Sequence, residues 1–100
     1  MLVATTTVQT ASASKYLQQL CKHFAHKVPA KWDTEQGEVT FPAGFCRMDA
    51  ASDRLTIRCE ADEDRKISQM KSIIDNHIER FAWREKLKLR WLPVTAQKTD

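Results

Sequence analysis

Residues 30–60 read AKWDTEQGEVTFPAGFCRMDAASDRLTIRCE, and the hydropathy of this stretch has a period of two. Trp32, Val39, Phe41, Cys46, Met48, Leu55, Ile57 and Cys59 fall on inward positions of four short strands, since alternate residues of a pleated strand share one face. Three turn-forming stretches separate them: Glu35-Gln36-Gly37, Pro42-Ala43-Gly44 and Ala51-Ser52-Asp53. Each is short enough to join antiparallel neighbours. The expectation is a four-strand meander with one apolar face that another part of the chain must cover.

The cover lies on either side. Upstream, Tyr16, Leu17, Leu20 and Phe24 recur at steps of three and four, with Cys21 at the border of this stripe. Lys15, Gln18, Gln19, Lys22, His23 and His26 occupy the opposite face, so the spacing predicts a helix that is oily inside and basic outside. Ser12 or Ser14 offers a hydroxyl to the free amides of its first turn. Pro29 ends it soon after Lys27, because the residue before a proline is driven out of helical geometry. Ahead of this helix, Val3 to Gln9 is rich in β-branched residues and free of glycine and proline, which predicts a first strand.

Downstream, Ile67, Met70, Ile74, Ile78 and Phe81 form a second helical stripe, with Lys71, Asp75 and Glu79 turned toward water. This helix opens in Asp62-Glu63-Asp64 and closes among Arg80, Arg84 and Lys86, a polarity that complements the helix dipole. Leu87, Leu89 and Trp91 then alternate with Lys88 and Arg90 as a last strand. The predicted fold is an α+β two-layer sandwich of order β-α-β-β-β-β-α-β, two helices on one face of a mostly antiparallel sheet. Residues 1–93 make a single domain and 94–100 a disordered polar tail. Apart from the last strand, the order resembles half of a TATA-binding-protein-like fold, an analogy of architecture that carries no function.

Composition sets outer limits. The 100 residues are 42% hydrophobic and 29% charged, with two glycines, which fits a globular domain able to fold alone. Cys21, Cys46 and Cys59 are an odd number with no C-x-x-C, so neither a disulfide framework nor a zinc knuckle is spelled out, and reduced thiols in the cytoplasm are expected. The threonine-rich start lacks a basic residue and an apolar core, so no export signal is read there. No apolar run approaches the roughly 18 residues of a membrane helix. A net charge of +3 is too mild to announce a nucleic-acid binder. Arg47, Arg58, Lys88 and Arg90 fall on outward strand positions without aromatic platforms for stacked bases, so nucleic acid is not an expected partner. Two glycines leave no phosphate-cradling loop.

The densest reactive cluster is Cys21-Lys22-His23-Phe24-Ala25-His26-Lys27. No acidic residue precedes Asp33, so Lys22, His23, His26 and Lys27 are the expected ligand-binding residues, for an anion. His23 and His26, three apart, share a helical face, but the spacing of four with an intervening glutamate that marks helical zinc sites is absent and the neighbouring lysines repel a cation. No metal and no cofactor is expected. Cys46 and Cys59 read as core. Cys21, at the edge of the stripe, leaves open an enzymatic alternative in which it is a nucleophile with His23 or His77 as base. His77 itself reads as a hydrogen-bonded border residue. Arg80, Trp83 and Arg84, at the exit of the second helix, form a candidate partner surface, since Trp and Arg dominate interface hot spots.

Three stretches carry a resemblance: Lys15-Tyr16-Leu17-Gln18-Gln19-Leu20-Cys21-Lys22-His23-Phe24-Ala25-His26-Lys27, Phe41-Pro42-x-Gly44, and His77-Ile78-Glu79-Arg80-Phe81-Ala82-Trp83-Arg84-Glu85. Across nearly its whole length the chain resembles the small bacterial domain of unknown function numbered two-two-one-eight. The resemblance implies no established activity. It implies occurrence alone or beside flavin-binding siderophore-interacting proteins, hence an accessory role in iron handling. The expected function is a small binding or adaptor domain whose basic helix face meets an anionic ligand or a flavoprotein partner, with a small enzyme using a Cys-His or metal-histidine site as the alternative.

Overall fold

Alternation over residues 30–60 does become a meander, and the computed structural model, which describes residues 1–96, closes it into a larger sheet. The elements are β1 (Leu2–Gln9), α1 (Ala13–Phe24), β2 (Ala30–Trp32), β3 (Gln36–Thr40), β4 (Phe45–Ala50), β5 (Arg54–Ala61), α2 (Asp64–Phe81) and β6 (Thr95–Ala96). The strand order is β2-β3-β4-β5-β1-β6, with antiparallel neighbours throughout. The expected α+β sandwich and its element order are therefore present.

Register explains the core. β1 runs against β5 from Leu2 opposite Ala61 to Gln9 opposite Arg54, and β4 sets Cys46 opposite Cys59 and Met48 opposite Ile57. A pleat sends Cys46, Met48, Ile57 and Cys59 to one face. There they meet Leu17, Leu20, Cys21 and Phe24 of α1 and Ile67, Met70, Ile74 and Ile78 of α2, all buried. The opposite face of the sheet is charged and largely balanced: Arg47 stands opposite Arg58, but Arg58 pairs with Glu60 at 3.0 Å and Arg47 with Asp49 at 4.0 Å.

Four local expectations are corrected. Trp32 is the last residue of the edge strand β2 and remains 38% exposed. Gln36 and Gly37 belong to β3, so the first turn is shifted back to 33–35, where Asp33 Oδ1 accepts the amides of Glu35 and Gln36 at 2.7 and 2.8 Å. Ser12 occupies the N-cap of α1 but makes no side-chain cap bond; Thr10 Oγ1 instead accepts the Ser12 amide at 3.0 Å. α1 also stops at Phe24, with turns carrying the chain on to Val28.

The C-terminal segment departs further. Leu87 to Arg90 form no strand; the paired residues come later and lie beside β1. Thr6 bridges to Trp91, the Leu92 amide donates to Thr5 O at 2.9 Å, and pairing resumes with Thr95 opposite Val3 and Ala96 opposite Leu2. Three steps along β1 thus match four along its partner, one extra residue at the place where Pro93 has no amide to give. The chain is built into the sheet to Ala96, past the end expected at Pro93; the rest of the expected tail, 97–100, lies outside the described residues.

Lys71 and Asp75 are not simply solvated. Trp91 Nε1 donates to Asp75 Oδ1 at 2.8 Å and Lys71 Nζ lies 5.8 Å from the Trp91 ring centre, so together they clamp the segment to α2. A second tie is the Glu85 carboxylate, which accepts from the hydroxyls of Tyr16 and Thr10. Burial first, and then this carboxylate, push the Tyr16 phenol up to about 12. Lys86, at φ 52°, turns the chain in the left-handed region immediately after this tie.

α1 presses closely on the sheet at Gly37, where an added Cβ would stand 2.6 Å from Cys21 Sγ and 3.3 Å from Leu17 Cδ2. Gly37→Ala is expected to destabilise the protein by about 1–3 kcal/mol through overpacking. In a Cys21→Ala background the same change should cost visibly less. Urea unfolding of the four proteins in this double-mutant cycle measures the coupling, and strict additivity would refute the contact.

Candidate functional site

His23, one residue before the end of α1, and His77, one turn before the end of α2, both sit where an apolar helical stripe meets solvent. Packing the two helices on one sheet face brings these borders together. His23 Nε2 and His77 Nε2 stand 3.0 Å apart, with ring centres separated by 4.5 Å. His77 Nδ1 lies 2.6 Å from the carbonyl oxygen of Ile73, one turn back. A carbonyl can only accept, so the proton of the neutral His77 ring belongs on Nδ1 and its Nε2 lone pair faces His23.

Phenylalanine rings support the pair. Phe24 packs edge-on against His77 at 5.0 Å and against Phe41 at 5.1 Å, and Phe81 closes on His23 at 5.9 Å. Beneath the imidazoles opens a cavity of about 330 Å³, lined by His23, Phe24, Lys27, Val28, Phe41, Pro42, Ile73 and His77. A second, shallower hollow of about 560 Å³ shares Phe41, Pro42 and Ile73 and continues between α2 and the β3–β4 turn, past Met70 to Ser68, Gln69 and Arg65. That turn is held by reciprocal bonds between Phe41 and Gly44, 2.8 and 3.1 Å. Gly44 is obligatory there, because a Cβ would fall 2.1 Å from Glu60 O. Phe41 and Pro42 are thereby fixed as the shared wall of both hollows.

Of the four expected ligand-binding residues, His23 and Lys27 line the cavity, whereas Lys22 and His26 do not. Lys22 is on the solvent face of α1, and His26 lies beyond the helix end at Phe24, so His23 and His26 do not form a helical pair. The partner of His23 is His77. Partial desolvation, then the positive charge that His77, His26, Lys27 and Arg80 can carry, lower the His23 pKa below its ordinary 6.5. Of the expected partner surface, Arg80 is thus within electrostatic reach of the site, while Trp83 is 65% exposed beyond α2 with the Arg84 guanidinium 5.2 Å from its ring centre.

Cys21 has the wrong environment for the Cys-His alternative. Cys21 is fully buried and burial pushes its thiol up to about 11, the reverse of what a nucleophile needs. Cys46 is buried as well and raised, first by a hydrogen bond with Cys59 and then by burial. Among the described residues, no group of three or more His, Cys, Asp or Glu is placed to hold a metal ion, and no helix is long and apolar enough to cross a membrane.

Phe41 was expected to point inward and is buried in the core, and it walls the cavity as well; His77 was expected as a border residue, and Ile73 carried no expectation. Both histidines flank their helical stripes, and that flanking position was the available signal. What it lacked was the relative placement of two helices 54 residues apart at the contact.

The chain matches a family described as "Uncharacterized protein conserved in bacteria (DUF2218)" over residues 5–92. Among solved structures it is similar to PA4090 from Pseudomonas aeruginosa, determined by NMR, with 29% identity, a TM-score of 0.79, and coverage of 93% of this chain and 97% of that one. No curated protein matches it.

Lowering of the His23 pKa has a defined sign. The unfolded chain takes up a proton near 6.5 while the folded chain still resists, so the stabilising contribution is complete above 6.5 and is lost as pH falls through the lower folded value. Chemical denaturation between pH 7.5 and 5 should show stability decreasing, with a shallower decrease in His23→Asn. Identical slopes in both proteins would contradict this environment for His23.

Proposed function

We propose that this chain, which belongs to the uncharacterized bacterial DUF2218 family, is a binding domain for small amphipathic anions. The observation that carries the reading is the composition of one cavity, lined by the polar side chains of His23, Lys27 and His77 together with the apolar Phe24, Val28, Phe41, Pro42 and Ile73. Its volume of about 330 Å³ suits a small ligand, and the adjoining hollow extends the apolar surface along α2. A carboxylate in this cavity gains a charge-assisted hydrogen bond from Lys27 worth about 1.5–3 kcal/mol. Each methylene laid on Phe41 and Ile73 adds up to about 0.8 kcal/mol. Medium-chain acyl and aryl carboxylates have this shape. An anionic siderophore, the ligand that the family resemblance implies, belongs to the same charge class and is a separate arm of the test.

Amide and methyl NMR titration with octanoate tests it. Saturable shifts are expected at His23, Lys27, Phe41 and Ile73, with affinity rising from hexanoate to decanoate. Octanamide should bind roughly tenfold more weakly, as should octanoate to Lys27→Gln, the loss matching one charge-assisted bond. Equal affinity for octanoate and octanamide, or shifts confined to the charged face of the sheet, would remove the reading. A gallium-loaded siderophore titrated in parallel asks whether a larger chelate can use the same mouth.

A further inference from the structure

The imidazole pair has features that anion binding does not call for. The His77 ring is fixed on two sides, by the Nδ1 contact to Ile73 O at 2.6 Å and by the edge of Phe24 at 5.0 Å. A remote ring N–H placed on a backbone carbonyl is the usual way in which a metal-bound histidine is held, because it fixes the tautomer and makes the other nitrogen a better donor. Here that other nitrogen is Nε2, which faces His23 Nε2 at the mouth of the cavity. The ring centres are 4.5 Å apart for nitrogens 3.0 Å apart, so the rings are folded toward one another rather than aligned end to end as in a linear N–H···N bond.

We propose that His23 and His77 form a two-histidine chelate for a borderline divalent transition ion such as zinc, with the remaining coordination positions open to the cavity. Two nitrogens bound to one tetrahedral zinc, each about 2.0–2.1 Å from it, stand about 3.3 Å apart. Opening the observed pair by a few tenths of an ångström meets that requirement. His23 is free to make this adjustment, being exposed and one residue from the end of α1, whereas His77 is held in place. Imidazole nitrogen suits zinc, copper and nickel rather than magnesium or calcium. With no third protein ligand placed among the described residues, the ion keeps exchangeable positions, and Lys27 beside it favours an oxyanion in one of them. The spacing of His23 and His26 argued against a metal on that pair; the fold sets His77, not His26, beside His23.

The inference stands on the imidazole geometry and does not require the anion reading. Metal-free full-length protein is titrated with zinc chloride at pH 7.5, and the histidine ring nitrogens are followed by long-range ¹H–¹⁵N spectra. Nε2 of His23 and of His77 should shift together and saturate at one equivalent. His23→Asn and His77→Asn should each weaken zinc binding at least tenfold, with His26→Asn changing it less than twofold. If His77→Asn does not fold, as judged by its amide spectrum, His23→Asn at the exposed helix end decides. Shifts restricted to His26, wild-type affinity in either chelate variant, or no response at millimolar zinc would overturn the proposal. Zinc binding without octanoate binding would remove the anion reading alone, and the converse would remove the chelate alone.

Discussion

A six-stranded sheet with one apolar face needs cover over its whole width, and two helices have to share that face. Their common boundary is therefore the place where the rest of the structure converges. On the sheet side Leu17 and Leu20 of α1 and Ile74 and Ile78 of α2 are all fully buried in one core cluster. On the solvent side lie rings: Phe24 and Phe81 each pack within about 6 Å of both His23 and His77, and Phe41 enters from the β3–β4 turn. Edge-to-face packing lets these rings close a surface that aliphatic side chains would leave open. It also sets imidazole nitrogens beside an oily hollow, where a polar head and an apolar body can be recognised together.

The same seam depends on how the chain ends. β1 lies inside the sheet, so the strand that protects its free edge has to come from the distant C-terminus. Trp91 on Asp75, and Glu85 on Tyr16 and Thr10, tie this segment to α2 and to the start of α1 respectively. Each tie couples a helix to the edge of the sheet, which limits how far α1 and α2 can slide relative to one another. The groove is bounded by elements whose positions are set at both ends.

Much of this was legible in the residues. The period-two run through Val39, Cys46, Met48, Leu55, Ile57 and Cys59 marked the sheet, and the stripes Leu17-Leu20-Phe24 and Ile67-Met70-Ile74-Ile78 marked the helices, because burial of one face leaves its period in the sequence. Trp32 followed the same alternation and yet stays exposed at the end of the edge strand, since alternation does not report which strand lies at the rim of the sheet. Leu87, Leu89 and Trp91 alternate and are partly buried as a strand would be, but their backbone forms no continuous ladder. The His23–His77 pair was not legible, because a stripe gives the rotation of each helix about its axis and says nothing of their mutual offset along it. Cys21 read as a border residue; the close approach of α1 to Gly37 buries it completely.

One cavity brings Lys27 and two imidazoles together with an apolar lining. A crystal structure of the full chain soaked with octanoate examines it most directly. The account predicts the carboxylate within hydrogen-bond reach of His23 or Lys27 and the chain laid across Phe41 and Ile73. A carboxylate bound elsewhere with this cavity filled only by water, or a seam in which His23 and His77 stand apart, would contradict it.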